Sequence, residues 1–247
     1  MYLIGDIGNT EIKICLFDGD LKLVKKKRLL TDKINSYYLK KNLVFLSKCN
    51  DQIKKTLISS VVPKSYKLIS KFLKKNFNIQ CIELKSLNLR KLVDIKVNKK
   101  QIGSDRLANA ISVIDNKNNY IIVDFGTATN FDVVIKNKYI GGILAPGVQL
   151  SLKTLIDKAS LIPEIKLDKI NNVIGKNTKS AIRSGFYYGY SGLIDNIVNL
   201  IIKQTRKKYN LILTGGYSYL FKKSLKGKAK IVKNLTINGI LKAAIKS

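Results

Sequence analysis

The chain has 247 residues, enough to bury a substantial core in one large or two modest domains, and it carries 46 Lys and Arg against 16 Asp and Glu, a formal net charge of +30. It contains no histidine, so serine-histidine triads, imidazole acid/base chemistry and histidine metal sites are excluded, and carboxylates must carry any proton transfer. Basic runs such as Lys25-Lys26-Lys27-Arg28, Lys54-Lys55, Lys99-Lys100 and Arg206-Lys207-Lys208 are scattered rather than concentrated, which predicts a solvated basic surface and not a nucleic-acid face.

The first predicted element is the strand Tyr2-Leu3-Ile4-Gly5-Asp6, which turns at Gly8 and continues through Ile12, Ile14 and Leu16. Asp18-Gly19 signals a hairpin before Leu21-Lys22-Leu23-Val24. The apolar run Leu57 to Val62 stops at Pro63, and Tyr66, Ile69, Phe72, Leu73 and Phe77 follow at helical spacing. Asn78 to Leu84 reads as strand. Gly103-Ser104-Asp105-Arg106 then opens a helix faced by Leu107, Ala110, Ile111 and Ile114, and the polar stretch Asn116 to Asn119 ends it.

The second half repeats the scheme. A strand runs to Asp124 and turns at Gly126, a second strand covers Phe131 to Ile135, and Tyr139-Ile140 leads into a glycine loop, Gly141 to Gly147, with a helix behind it. A further helix starts near Asn177-Thr178, carries Gly185, Gly189 and Gly192 on nearly one face, and runs to about Lys207. Each glycine costs roughly 1 kcal/mol relative to alanine in a helix interior, which suggests close approach by another surface. Tyr209 to Thr214 is a strand ending in Gly215-Gly216, and a short helix over Ile237, Ile240, Leu241 and Ala244 closes the chain.

The order is mixed α/β, and neither a P-loop nor a G-x-G-x-x-G fingerprint is present. Cys15, Cys49 and Cys81 are odd in number without C-x-x-C spacing, which indicates neither a disulfide framework nor a zinc site and suits a reducing cytoplasm. No apolar stretch has the length of a membrane span, and the N-terminus enters a strand with no leader pattern.

Two segments 118 positions apart share one form, an apolar strand followed by aspartate, glycine and threonine: Asp6-Ile7-Gly8-Asn9-Thr10 and Asp124-Phe125-Gly126-Thr127-Ala128-Thr129. Bare backbone N–H groups at a glycine turn, with a hydroxyl beside them, make a phosphate cradle, and the carboxylate can hold a cation or water against the phosphate. The alternative for each aspartate is an Asx-turn on its own backbone. Repetition favours a duplicated unit whose loops face each other across a cleft that takes a nucleotide triphosphate. Lys13 either reaches a phosphate or is one more surface lysine. Asp105, beside Arg106 at a helix start, is either an N-terminal cap or a base that accepts a hydroxyl proton late in a loose phosphoryl-transfer transition state.

With these residues in place the whole chain resembles a type III pantothenate kinase, a member of the acetate and sugar kinase, Hsp70 and actin superfamily. The resemblance rests on seven ordered motifs: DIGNT at 6–10, SSVVP at 59–63, GSDR at 103–106, DFGTAT at 124–129, GGILAPG at 141–147, GKNT at 175–178 and GFYYGY at 185–190. It implies two ribonuclease H-like (actin-like ATPase) lobes, α/β with a duplicated mixed sheet flanked by helices and the nucleotide in the cleft between them. The lobes are expected at 1–115, with the first phosphate motif and GSDR, and at 116–247, with the second phosphate motif and dimer-forming helices.

The implied activity is ATP-dependent phosphorylation of the 4′-hydroxyl of pantothenate, the first step of coenzyme A synthesis, in a cytoplasmic homodimer that uses Mg²⁺ and a monovalent cation, K⁺ or NH₄⁺. The resemblance assigns Asp6, Gly8, Asn9, Thr10 and Lys13 to the ATP phosphates, Thr127 to a nucleotide contact and Asp124 to the monovalent cation. It assigns Gly103, Ser104, Asp105 and Arg106 to pantothenate, with Asp105 as general base, and Thr178 to a pantothenate contact across the dimer interface. Three positions depart from the family pattern: Ser104 replaces alanine, Asn130 replaces threonine, and Lys96 stands where a substrate-touching tyrosine is usual. A lysine there can pair with the pantothenate carboxylate, or it marks a changed substrate. The other functions kept open are therefore a kinase for a different small alcohol and a non-catalytic regulator, since related sequences are described as transcription accessory factors.

Overall fold

The computed structural model describes residues 1–247 and divides them into two units: residues 1–114 with 137–139 and 235–247, and residues 115–136 with 140–234. No helix is long and apolar enough to cross a membrane.

The first unit begins with β1 (Tyr2–Ile7), β2 (Glu11–Phe17) and β3 (Leu23–Leu30), then α1 (Ser36–Leu43), β4 (Lys55–Ser60), α2 (Pro63–Phe77), β5 (Ile82–Glu83), β6 (Asp94–Ile95) and α3 (Ser104–Val113). Its sheet has the order β3-β2-β1-β4-β5, with β1 antiparallel to β2 and parallel to β4. β1 is central and buried on both faces, which is why its sequence is a continuous apolar run and not an alternation. β3 is the edge, and its Lys25-Lys26-Lys27-Arg28 run discourages pairing with another chain. One core joins Leu3, Ile7, Ile12, Ile14, Ile58, Ile69, Phe72 and Leu73. α2 starts with Pro63 in its first turn and stops at Asn78, which takes the left-handed conformation (φ 56°).

The second unit contains β7 (Asn119–Phe125), β8 (Ala128–Ile135), most of β9 (Lys138–Pro146), α4 (Val148–Lys158), α5 (Thr178–Thr205), β10 (Asn210–Gly215), α6 (Ser218–Phe221) and β11 (Ala229–Ile231). Its strands follow the order β9-β8-β7-β10-β11, the same path as β3-β2-β1-β4-β5, with β7 antiparallel to β8 and parallel to β10. Ile121, Val123, Phe125, Phe131, Leu211 and Leu213 form its core with Tyr187 and Ile194 of α5, and Phe125 stacks on Phe221 at 5.2 Å between ring centres. The start of β9, Lys138 and Tyr139, groups with the first unit and pairs in parallel with Asp94 and Ile95 of β6.

The chain ends in α7 (Leu235–Lys246), which packs on α3, β1 and β4. A Cβ at Gly239 would lie 1.8 Å from the Ala108 carbonyl oxygen, so the close contact of α3 and α7 requires glycine there. This final helix, expected in a second lobe running to 247, belongs to the first unit. Its apolar face is completed by β1, β4 and α3, which no reading of local periodicity reveals. The glycine loop expected at 141–147 is also different: Gly141 to Pro146 are extended as part of β9, and only Gly147 lies outside it.

Candidate active site

In the first unit, Asp6 and Ser59 stand opposite each other where the parallel strands β1 and β4 reach their carboxyl ends. Ligands of α/β sheets bind at such ends, where the chain leaves the sheet and its backbone groups are released from pairing. Asp6 is buried, and its carboxylate lies 3.4 Å from the ammonium of Lys13, its antiparallel partner on β2. The intervening turn closes with the Gly8 N–H on the Glu11 carbonyl at 3.0 Å, leaving exposed Asn9 and Thr10 at its tip. Thr31 pins this turn by donating its hydroxyl to the Gly8 carbonyl at 2.8 Å and its N–H to Thr10 at 3.1 Å.

The start of α3 reaches the same sheet edge. A Cβ built on Gly103 would be 3.7 Å from Val61, just beyond β4, and 2.4 Å from Asp105 Oδ1, so the absence of a side chain at 103 makes room for the Asp105 carboxylate. Asp105 is partly exposed in the first turn of α3 and accepts the Arg106 N–H at 2.8 Å. Ser104 is 1% exposed and Ser59 0%, and neither hydroxyl has a hydrogen-bond partner within the protein. Buried hydroxyls in that condition are uncommon, and two of them beside Asp6 and Asp105 mark a place where a polar ligand or water supplies the missing bonds. Arg106 lies over the ring of buried Tyr139, its guanidinium carbon 6.0 Å from the ring centre. Lys96 follows β6, and its ammonium pairs with Asp94 at 2.8 Å.

In the second unit, Asp124 occupies the position on β7 that Asp6 has on β1, with Asn130 of β8 opposite it and Thr214 of β10 alongside. The turn after it closes with the Gly126 N–H on the Ala128 carbonyl at 3.0 Å. Thr127 stays at the partly exposed to exposed tip, and Gly147 packs against its carbonyl so closely that a Cβ would lie 2.1 Å away. Gly215, at φ +85°, approaches Asp124 in the same manner, its Cβ position being 2.7 Å from Asp124 Oδ1. The Asn130 Oδ1 atom is buried with no hydrogen-bond partner. Thr178 is the first residue of α5, exposed behind a capping box in which Asn177 and Ser180 satisfy each other's backbone N–H groups.

The structure therefore gathers Asp6, Gly8, Asn9, Thr10 and Lys13 in one turn, with Gly103 to Arg106 at the same sheet edge of the first unit. Lys96 is engaged by a neighbouring carboxylate. Asp124 and Thr127 form an equivalent turn in the second unit, and Thr178 stands at the head of α5. The sequence does not single out Ser59 or Tyr139, which the structure places beside Asp6 and under Arg106. Ser59 sits inside the SSVVP motif and its placement at a strand end was the available signal, whereas nothing local to Tyr139 announces that it meets Arg106.

Two units of identical strand order, each with an aspartate, a glycine turn and a threonine at the end of its central strand, define an actin-like, sugar-kinase-type fold. The solved structures agree. A 2-dehydro-3-deoxygalactonokinase from Sinorhizobium meliloti matches with a TM-score of 0.60 at 10% identity, covering 100% of this chain and 99% of that one. The activator of 2-hydroxyisocaproyl-CoA dehydratase from Clostridium difficile, with bound ADPNP, matches with a TM-score of 0.55 at 12% identity, over 99% of this chain and 93% of that one. Sequence comparison is more specific. The type III pantothenate kinase family profile matches residues 2–200, and a type III pantothenate kinase of Pelagibacter ubique (strain HTCC1062) is 58% identical over 243 residues, 98% of each chain. A second, from Sulfurihydrogenibium sp. (strain YO3AOP1), is 36% identical over 97% of this chain and 98% of its own length. The chain belongs to the type III pantothenate kinase family and is a kinase.

Proposed function

We propose that the chain transfers the γ-phosphoryl group of ATP to the 4′-hydroxyl of pantothenate, with Asp105 as the base, as the first step of coenzyme A synthesis in the cytoplasm. The observation that carries this reading is the convergence of the Asp6 to Lys13 turn and the Gly103 to Arg106 helix start on one sheet edge. The hydroxyl oxygen forms a bond to the γ-phosphorus, the bond from that phosphorus to the β–γ bridging oxygen breaks, and the hydroxyl proton passes to the Asp105 carboxylate. Because the transition state is loose, positioning and charge stabilisation matter more than base strength. The Asn9–Thr10 tip of the first turn and the Lys13 ammonium hold phosphate oxygens, and Thr127 adds a nucleotide contact. The first turn of α3 offers N–H groups and Arg106 to the acceptor, and Ser104 and Ser59 supply hydroxyls with bonding capacity to spare.

The residues fit both implied cations. Asp6 is one carboxylate beside a buried, unpaired hydroxyl, and no cluster of three or more His, Cys, Asp or Glu is present, a donor set suited to Mg²⁺ held through a single carboxylate, water and the phosphates. Asp124 with the unpaired Asn130 carbonyl oxygen offers hard oxygens for a monovalent cation such as K⁺ or NH₄⁺. When bound, these cations offset the negative charge of the triphosphate.

A homodimer is part of the reading. Gly185, Gly189 and Gly192 lie exposed on α5 with open space around each, so the helix gains no packing within the chain for the roughly 3 kcal/mol that three glycines cost it. From Ser180 to Ile202 the helix contains a single basic residue, Arg183, in a chain with 46. A second copy is the surface that this stripe suits, with Thr178 at its head reaching the partner's pantothenate. The +30 charge steers anionic substrates in this reading and does not recognise nucleic acid. The test is ADP release from MgATP with and without pantothenate, in K⁺ and in Na⁺. Pantothenate-dependent turnover that needs K⁺ is expected; ATP hydrolysis indifferent to pantothenate would sink the reading.

A further inference from the structure

The geometry points to Tyr139 as a positioning residue for the acceptor side of the reaction, acting through Arg106. This rests on the reading of Arg106 as a pantothenate-binding residue. Tyr139 is 1% exposed and ranks among the largest fully buried side chains. It is the second residue of β9, paired with Ile95 of β6, in the three-residue segment 137–139 that groups with the first unit.

Two contacts converge on it. Its carbonyl oxygen accepts the Lys96 N–H at 2.9 Å, which, with the Asp94 N–H on the Asn137 carbonyl at 2.9 Å, fixes the segment leading toward Gly103. Its ring lies beneath the Arg106 guanidinium at 6.0 Å. An aromatic face attracts a cation, and a planar guanidinium rests on it in a preferred orientation that a lysine ammonium lacks. Arginine otherwise loses much rotamer freedom when it binds a ligand; held on the ring, it has lost that freedom beforehand, so more of the contact appears as affinity. Tyr139 never touches substrate in this account. It sets the direction of the fork that does.

The test compares KM for pantothenate and for ATP in Tyr139→Leu and Tyr139→Phe. Tyr139→Leu is expected to raise KM for pantothenate roughly tenfold and leave KM for ATP within about twofold, while Tyr139→Phe, which keeps the ring, returns most of the affinity. In an Arg106→Ala background Tyr139→Leu should add no further rise. An unchanged pantothenate KM in Tyr139→Leu, or the same rise in the Arg106→Ala background, overturns the proposal. Since a leucine in a tyrosine's place can prevent folding, pentafluorophenylalanine replacing Tyr139 gives a ring of similar size whose face repels cations. A raised pantothenate KM supports positioning, and a parental value overturns it. If the unmutated chain shows no pantothenate-dependent ADP release, the substrate reading fails on its own. Amide exchange at 104–107 then decides: acceleration by Tyr139→Leu and not by Tyr139→Phe supports the role, and unchanged exchange removes it.

Discussion

Asp6 and Lys13 face each other across the first hairpin, carboxylate and ammonium 3.4 Å apart in directly paired strand positions. A cross-strand pair of this kind contributes about 0.2–1 kcal/mol to stability, too little to explain a buried aspartate beside a glycine turn with a half-buried lysine against it. In the proposed reading it holds a cation where phosphate oxygens arrive. Lys13→Met is expected to raise KM for ATP at least about tenfold while the melting temperature moves only a few degrees. Unchanged ATP kinetics would return Lys13 to a purely structural role.

Asp105→Asn keeps the shape of the side chain and an acceptor oxygen toward the Arg106 N–H, and removes the negative charge together with the capacity to take a proton. General-base contributions of about 10²–10⁴-fold set the expected fall in kcat, with nucleotide affinity preserved. Turnover at the parental rate would mean that another group, or water, receives the hydroxyl proton.

The exposed glycines of α5 predict the assembly state. Gly189→Arg puts a long charged side chain into space that is open within one chain. Light scattering on the variant should report a monomer and circular dichroism an unaltered helix content, and pantothenate kinetics should worsen if Thr178 acts across the interface as proposed. A variant that remains dimeric would place the interface elsewhere.

Asp115 predicts a pH dependence. It accepts the backbone N–H of Asn118 and that residue's side-chain amide, then the Tyr120 hydroxyl and the Lys117 N–H, and these bonds hold its carboxyl well below the usual carboxylate range. Unfolded, an aspartate titrates near pH ~3.9. Its folded value is depressed, so its contribution to stability is complete above about pH 4 and is lost as the pH falls toward the folded value. Urea unfolding of the parent and of Asp115→Ala should differ by a constant amount from pH 7 to 5 and converge below pH 4. A difference independent of pH would show that the carboxylate charge is irrelevant to the turn.

The parts of this structure that were legible in the sequence are those with local causes. Pro63 and the apolar spacing behind it gave α2 at Pro63–Phe77, and Asn177 with Ser180 caps α5 where its start was expected. The two aspartate-glycine-threonine turns could be read because a tight turn needs glycine. Other elements depend on partners distant in sequence. Gly141 to Pro146 looked like a loop because glycine and proline punctuate it, yet pairing within the sheet holds it extended. The short β6 exists only because β9 lies beside it, and so Lys96, read as available to a substrate carboxylate, is found paired with Asp94. α1 passed unnoticed because Ser36–Leu43 buries only Leu39 and Leu43.

The return of α7 to the first unit has a consequence for how the chain is made. Residues 1–114 precede the second unit in sequence, but the helix that covers α3, β1 and β4 follows it. The second unit closes its core from residues that all precede α7. The earlier-made half must wait with apolar surface of α3 and its sheet uncovered, so the order of synthesis and the order of completion run in opposite directions.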